Sequence, residues 1–204
     1  GSDLIGAREI PAEALYGVQT LRGIENFSIS KFRLSEYPLF IKGLAITKMA
    51  AAMANFELGL LTVEQKDAII AACGEIIDGK HHDQFPVDMI QGGAGTTTNM
   101  NANEVIANRA LELMGHERGE YQYCSPNDHV NCSQSTNDAY PTAIHVGMYF
   151  KHLQLLPHLE ELIASFRKKG EEFSQIIKMG RTQLEDAVPM TLGQTFNGFA
   201  SILQ

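Results

Sequence analysis

Hydrophobic residues recur with helical spacing over most of the chain. In the first strong pattern, residues 38–58, the apolar positions are Leu44, Ile46, Met49, Met53 and Phe56. Spacings of three and four residues place side chains on one face of a helix. The pattern predicts an amphipathic helix with these five side chains as its buried stripe.

Two further helices follow before residue 115. Thr62 with Gln65 three residues later is typical of a capping box, and an apolar pattern continues to a stop near Gly79. Residues 80–98 are loop-like because the run of glycines at 92–95 interrupts regular structure. Helical spacing returns at residues 100–114, and Gly115 ends that helix.

The longest periodic segment covers residues 139–169. Leu155, Leu159, Leu162 and Phe166 form a face typical of a helical bundle, and Pro157 predicts a kink. We expect the helical path to continue through residues 170–178, followed by a turn and an extended piece at 179–190. A last helix begins near Thr191 and shows no stop signal at Gln204.

The first 36 residues carry weaker patterns, which favour irregular chain with short strands at 15–18 and 27–29. The fold class predicted is mainly α. Residues 3–138 form an α-rich N-terminal domain with small β pieces, and residues 139–204 form the beginning of a central helical-bundle domain. Since the last helix lacks an end, we expect an incomplete bundle that belongs to a longer protein.

Composition excludes several classes of protein. The 204 residues are 44% hydrophobic, and the formal net charge is −8. Such a charge disfavours nucleic acid and anionic membranes as partners. The three cysteines show no Cys-x-x-Cys spacing, so neither a disulfide framework nor a metal site is expected. Without a signal peptide or a run of 18 apolar residues, a soluble cytoplasmic protein is expected.

Three clusters of small polar residues are candidates for chemistry: residues 95–101, 133–138 and 180–183. The first two open predicted helices, where unpaired backbone N–H groups and the helix dipole favour a carboxylate or phosphate. The first lacks the Gly-Lys-Ser/Thr ending of a phosphate-binding loop. A helix cap alone is the competing interpretation, but a cap needs one such residue and five crowd the second cluster.

Taken together, these clusters resemble conserved blocks of the aspartase/fumarase superfamily. The likeness covers essentially all of residues 3–204. Its specific blocks are residues 93–105, 127–131, 133–138 and 178–184, together with the N-terminal segments 10–12 and 16–20. The sequences of residues 119–123 and 178–184 resemble those of the aspartase branch. Fumarases usually carry His where this chain has Gln183 and Ser125.

The resemblance implies reversible anti-elimination of ammonia from L-aspartate, giving fumarate through an aci-carboxylate, without a cofactor. It implies that the substrate-binding residues are Thr96, Ser135 and Thr136 at the β-carboxylate, Asn137 and Gln183 near the amino group, and Thr182 at the α-carboxylate.

The family's catalytic serine lies in a Gly-Ser-Ser-x-Met-Pro-x-Lys-x-Asn-Pro loop, which this sequence does not contain. The resemblance therefore implies no catalytic residue in this chain, an inactive fragment, and a cation supplied by that loop. It also implies a homotetramer for the full-length protein. Fumarate hydratase is the nearest alternative, and a non-catalytic helical module is the alternative of another class.

Overall fold

The computed structural model describes residues 1–3 and 5–204, and most of these residues lie in helices. The helices are α1 Val18–Asn26, α2 Pro38–Glu57, α3 Val63–Ile77, α4 Thr96–Leu113, α5 Thr136–Glu172 and α6 Leu192–Leu203. The strands are β1 Ser2–Asp3, β2 Gly6–Ala7, β3 Ile177–Thr182 and β4 Glu185–Thr191, and short helical turns cover Leu34–Glu36, His82–Gln84 and Pro126–Val130. The predicted mainly α class is confirmed.

The chain forms two compact units, Gly1–Tyr149 and Phe150–Gln204. The division falls inside α5. The domain boundary predicted at 138/139 follows the start of that helix and stays a prediction.

In the Gly1–Tyr149 unit, α2, α3 and α4 pack around one apolar core. The predicted apolar face of α3 is confirmed, because Ile69, Cys73 and Ile76 are fully buried. The capping box of Thr62 and Gln65 is present. The face predicted for α4 is also confirmed, with Val105 and Ile106 at the centre of the core.

The buried face of α2 differs from the predicted stripe. Met53 is 51% exposed, whereas two polar residues point inward. The buried positions are Ile41, Gly43, Leu44, Ala45, Lys48, Ala52 and Asn55. The face is rotated because Lys48 and Asn55 have hydrogen-bond partners in the interior, which offset the cost of burying polar groups.

By length and composition, α2 could also cross a membrane, with a mean hydropathy of 1.3. Core helices of globular proteins meet the same criterion. Here Ile41, Leu44 and Ala52 belong to the core described above.

Helix α1 was not predicted, and the strands expected at 15–18 and 27–29 are wrong. The N-terminus of α1 instead docks on α4 through the Glu104 carboxylate, which is 2% exposed. Glu104 accepts the backbone N–H groups of Gly17, Gln19 and Thr20 at 2.8, 2.8 and 3.0 Å, and the Thr20 hydroxyl at 2.7 Å. This contact spans more than 80 residues of sequence, so no local pattern could reveal it.

The Phe150–Gln204 unit contains the rest of α5, an antiparallel β3–β4 hairpin and α6. Helix α5 runs through Pro157 without a break and ends at Glu172, so the helix expected over residues 170–178 is wrong beyond that point. The hairpin replaces the expected turn and single extended piece. Helix α6 starts as predicted, with a capping box of Thr191 and Gln194.

Candidate functional site

The first polar cluster forms the start of α4. Gly95 precedes the helix with a φ of 93°, a conformation that favours glycine. A Cβ at this position would also lie 2.3 Å from the Tyr140 ring of α5. The helix therefore begins at Thr96, four residues before the predicted start.

The side chain of Thr98, in the first turn of α4, pairs with Gln91. The Gln91 side chain accepts the Thr98 N–H at 2.9 Å and donates to its hydroxyl at 2.6 Å. Within the described residues, the backbone N–H groups of Thr96 and Thr97 have no hydrogen-bond partner. The first turn of α4 therefore leaves two donors open to a ligand.

The second polar cluster lies at the start of α5, and its members have different hydrogen-bond partners. The Ser135 hydroxyl accepts the N–H of Asn137 at 3.2 Å, while the Asp138 carboxylate accepts the N–H of Ser135 at 3.3 Å. These two residues therefore form a helix cap. An accepting hydroxyl keeps its own proton, so Ser135 can cap the helix and still donate to a ligand.

Thr136 joins the two helix starts. Its hydroxyl accepts a hydrogen bond of 3.2 Å from the Asn99 side chain of α4, and Asn99 is 1% exposed. Since the hydroxyl accepts from Asn99, its proton also remains available to a ligand.

We call the two helix starts, residues 95–98 and 135–138, the wall of the candidate site. A buried polar cluster adjoins this wall. The Asn131 Oδ1 atom accepts from Lys48 Nζ at 2.9 Å, Asn99 Nδ2 at 3.1 Å and Asn103 Nδ2 at 3.2 Å. Lys48 Nζ also donates to Gln134 Oε1 at 3.0 Å. The sequence reading missed Lys48, although a lysine four residues from both Leu44 and Ala52, on an apolar helical face, was a usable signal.

An open cavity of about 540 Å³ connects the two helix starts. Residues of the glycine loop and of the first turns of α5 line it: Met89, Ile90, Gln91, Gly93, Ala94, Gly95, Asn137, Tyr140 and Pro141. Burial raises the pKa of Tyr140, so this ring stays neutral at physiological pH. The cavity thus has an uncharged aromatic side and a polar side with the amide groups of Gln91 and Asn137, which is the one predicted binding residue in its lining.

The structure places four of the six predicted binding residues in the Gly1–Tyr149 unit. Thr96, Ser135 and Asn137 are exposed and Thr136 is half-buried. Thr182 and Gln183 belong to the other unit. Both are exposed: Thr182 ends β3, and Gln183 lies in the hairpin turn with a φ of 48°. Their part in binding stays a prediction.

The histidine of the polar run has a structural contact. His129 Nδ1 accepts the backbone N–H of Ser125 at 2.7 Å, which stabilises the π-helical turn Pro126–Val130. The Ser125 hydroxyl in turn accepts the N–H groups of Asn127 and Asp128. These bonds give His129 a role in structural support.

Comparison with known proteins identifies relatives of the whole chain. A lyase family model matches residues 6–204. The chain is 61% identical to the aspartate ammonia-lyase of Pseudomonas canavaninivorans over 201 residues, which are 98% of this chain and 42% of that protein.

Two solved structures are also similar. A fumarate lyase:delta crystallin from Brucella melitensis, bound to cobalt, is 54% identical with a TM-score of 0.92, over 99% of this chain and 44% of that one. A class II fumarase from Schistosoma mansoni is 40% identical with a TM-score of 0.86, over 100% of this chain and 43% of that one. The chain therefore spans less than half the length of these relatives.

Proposed function

The chain belongs to the lyase family that includes aspartate ammonia-lyases. We therefore propose that the complete gene product converts L-aspartate reversibly into fumarate and ammonia. The observation that carries the proposal is that the starts of α4 and α5, through Gly95 and Asn137, line one cavity. At α4 two backbone N–H groups have no partner within the described residues, and at α5 the hydroxyls of Ser135 and Thr136 keep protons to donate. The higher identity to an aspartate ammonia-lyase than to a fumarase favours aspartate over malate as substrate.

The difficult step in this reaction is the loss of a Cβ proton. Negative charge then builds up on the β-carboxylate, which already carries one charge. An enzyme lowers this barrier by placing hydrogen-bond donors where the charge develops. The first turns of α4 and α5 supply such donors as hydroxyl and backbone N–H groups, and their orientation is fixed by folding before the substrate binds.

Each predicted binding residue has a role in this proposal. Thr96, Ser135 and Thr136 donate to the β-carboxylate, and the donors remain free for this task as described above. Asn137, which lines the cavity, contacts the amino group. By the family resemblance, Thr182 contacts the α-carboxylate and Gln183 lies near the amino group.

The base that removes the Cβ proton is not assigned to any residue of this chain. The serine-containing loop of the family is missing from the 204 residues. We therefore expect the isolated chain to show no turnover. In this proposal it contributes the anion-binding wall of the site.

The test compares two proteins, the 204-residue chain and the product of the complete gene, each assayed on aspartate and on malate. We expect fumarate from aspartate only with the complete gene product. Fumarate from malate but not from aspartate would assign the fumarase reaction instead. No turnover of either substrate by the complete product would favour the non-catalytic helical module.

A residue-level test uses Ser135→Ala in the complete gene product. Loss of one donor to a developing oxyanion lowers kcat about 100-fold or more. Ser165→Ala is the matched control, because Ser165 is an exposed serine within α5 whose hydroxyl donates to the Glu161 carbonyl. An unchanged kcat for Ser135→Ala would remove this residue from the proposed site.

Assembly and location are also proposals. Large apolar side chains of the Phe150–Gln204 unit are exposed, among them Leu155, Leu162 and Ile202. Such exposure supports self-association, and we propose a homotetramer for the complete polypeptide. The free thiols of Cys73, Cys124 and Cys132 support a reducing, cytoplasmic location. Sedimentation analysis and cell fractionation test the two proposals.

A further inference from the structure

The Lys48 side chain of α2 is fully buried, with 0% of its surface exposed. Its two bonds go to neutral amide oxygens, those of Asn131 and Gln134. Within residues 1–3 and 5–204, no carboxylate forms an ion pair with it. Burying an unpaired ammonium is costly, so stability alone does not account for a lysine at this place.

The bonds of Lys48 hold the segment that leads into α5. A second residue of the same helix face, Asn55, donates to the Cys132 carbonyl at 2.8 Å. Inside the segment, Asn131 Nδ2 donates to the Gln134 carbonyl at 3.0 Å. Helix α2 thus fixes residues 131–134 immediately before the Ser135 cap.

A continuous path of hydrogen bonds connects Lys48 to the proposed substrate wall. Asn131 Oδ1 accepts from both Lys48 and Asn99, and Asn99 Nδ2 also donates to the Thr136 hydroxyl. The position of the ammonium therefore determines where Asn131 lies, and Asn131 helps to orient the Asn99 amide. That amide in turn sets the direction in which Thr136 can donate its own proton.

We propose that Lys48 is a positioning residue of the dicarboxylate site, which acts through Asn131 and Asn99 to aim the Thr136 hydroxyl at the substrate's β-carboxylate. The inference rests on the proposed function. It also assigns to the wall a positive charge from within this chain, in addition to the lysine of the family's missing loop.

The electrostatics of Lys48 support this role. Burial lowers the pKa of Lys48 to about 7. Burial also raises the pKa of the Cys73 thiol to about 12, so that thiol is neutral. Its two hydrogen-bond partners, the side chains of Asn131 and Gln134, are uncharged amides. A dianion bound at the neighbouring wall would favour the protonated lysine, so ligand binding should draw in a proton near and above pH 7.

The kinetic test uses Lys48→Met in the complete gene product, with Lys80→Met as the control at an exposed lysine. A small misplacement of binding groups costs about 100-fold in rate, so we expect kcat/KM for aspartate to fall by about that factor, mainly through kcat. The control should keep the kcat and KM of the wild type. Asn99→Leu breaks the same path while leaving Lys48 in place, and we expect a similar loss.

The binding test measures proton uptake, which a purely structural role would not affect. Succinate, an unreactive dicarboxylate, is titrated calorimetrically at pH 8 in two buffers with different ionisation enthalpies. We expect the wild type and Lys80→Met to take up a fraction of a proton per site. Lys48→Met should lose this uptake, and Asn99→Leu should retain it because the lysine is still present.

The outcomes separate this proposal from the proposed function. A wild type that produces no fumarate from aspartate overturns both. An active wild type with an unchanged kcat/KM in Lys48→Met overturns only the role of Lys48. If Lys48→Met does not fold, Asn99→Leu decides: a loss in kcat with wild-type proton uptake supports the proposal, and wild-type kinetics overturn it.

Discussion

The starts of α1 and α5 belong to the same unit but differ in the groups that meet their backbone N–H donors. At α1, the protein supplies its own anion, since the buried Glu104 carboxylate accepts three backbone N–H groups and one hydroxyl. At α5, the wall carries neutral hydroxyls and amides, and its only carboxylate, Asp138, is engaged in the cap. The start of α1 is closed, and the start of α5 faces an open cavity.

The difference shows how one physical property serves two purposes. Every helix start presents unpaired N–H groups and a partial positive charge. Where a side chain satisfies them, the result is tertiary stability. Where the chain leaves them open beside a cavity, the same groups are available to a substrate carboxylate. The closed start should therefore affect folding, and the open start should affect turnover more than folding.

The largest effect on stability is expected for Glu104→Gln. An amide keeps the shape but turns an NH₂ group toward backbone donors, so the free energy of unfolding should fall by about 3 kcal/mol. Urea unfolding of the 204-residue chain measures this loss. The exposed Glu13→Gln serves as control, with a change within about 0.5 kcal/mol. A Glu104→Gln variant as stable as the control would contradict the closed-start interpretation.

Gly17→Ala should have the next largest effect. A Cβ on Gly17 would lie 2.6 Å from the Glu104 carboxylate, so the helix start must shift, at a cost of about 2 kcal/mol. Gly74→Ala in α3 meets no atom within 4 Å. That substitution should stabilise the protein by about 0.5 kcal/mol, because alanine favours a helix interior. If urea unfolding shows the same change in the free energy of unfolding for Gly17→Ala and Gly74→Ala, the contact of Gly17 with Glu104 is not tight.

A second buried carboxylate, that of Asp88, also accepts backbone N–H groups. It should make the free energy of unfolding depend on pH in the acid range. Hydrogen bonds from the Ile90 N–H, from the Ser30 hydroxyl and N–H, and from the Ile29 N–H lower the pKa of Asp88 from 3.8 to about 2, although burial opposes the shift. Between these two values the unfolded chain binds more protons, so the stability from Asp88 is present above pH 3.8 and is lost as the pH falls toward 2.

The measurement compares urea unfolding of wild type and Asp88→Asn from pH 7 to pH 2. The wild type should be more stable at pH 7, and the difference should shrink below pH 4. The exposed Asp78→Asn is the control and should leave the wild-type profile unchanged. A difference that stays constant down to pH 2 would argue against a carboxylate held in its charged form.

The smallest change in stability is expected at the open start. Ser135→Ala removes the acceptor for the Asn137 N–H, and loss of a cap costs about 1 kcal/mol. Thermal unfolding with Ser165→Ala as control measures it. A loss as large as that of Glu104→Gln would indicate that the start of α5 is mainly structural, and the contrast with α1 would disappear.

The elements predicted correctly are those with local causes. They are the apolar spacing of α3 and α4, the Thr62–Gln65 capping box and the start of α6 near Thr191, and all depend on residues within a few positions of each other. The polar clusters at the starts of α4 and α5 were likewise visible as candidates for an anion site. Their roles in binding remain predictions, and those of Thr182 and Gln183 do as well.

The wrong predictions concern features that depend on contacts between residues far apart in sequence. Helix α1 depends on Glu104, more than 80 positions away in sequence. The inward face of α2 depends on Asn131 and Gln134, which are as far from Lys48 as Glu104 is from α1. A hydrophobic pattern treats a lysine as exposed, because it contains no information about amide oxygens that the fold brings to it.

The sequence by itself determined the mainly helical class, the extent of most helices and the two polar clusters that open α4 and α5, because periodicity, capping and glycine conformations act over short distances. Only the tertiary structure decided which helix start is closed by Glu104 and which is left open beside a cavity. It also decided that Lys48 lies in the buried polar cluster that adjoins the wall of the candidate site. Those outcomes depend on hydrogen bonds between residues far apart in sequence, and such bonds form only when the helices pack together.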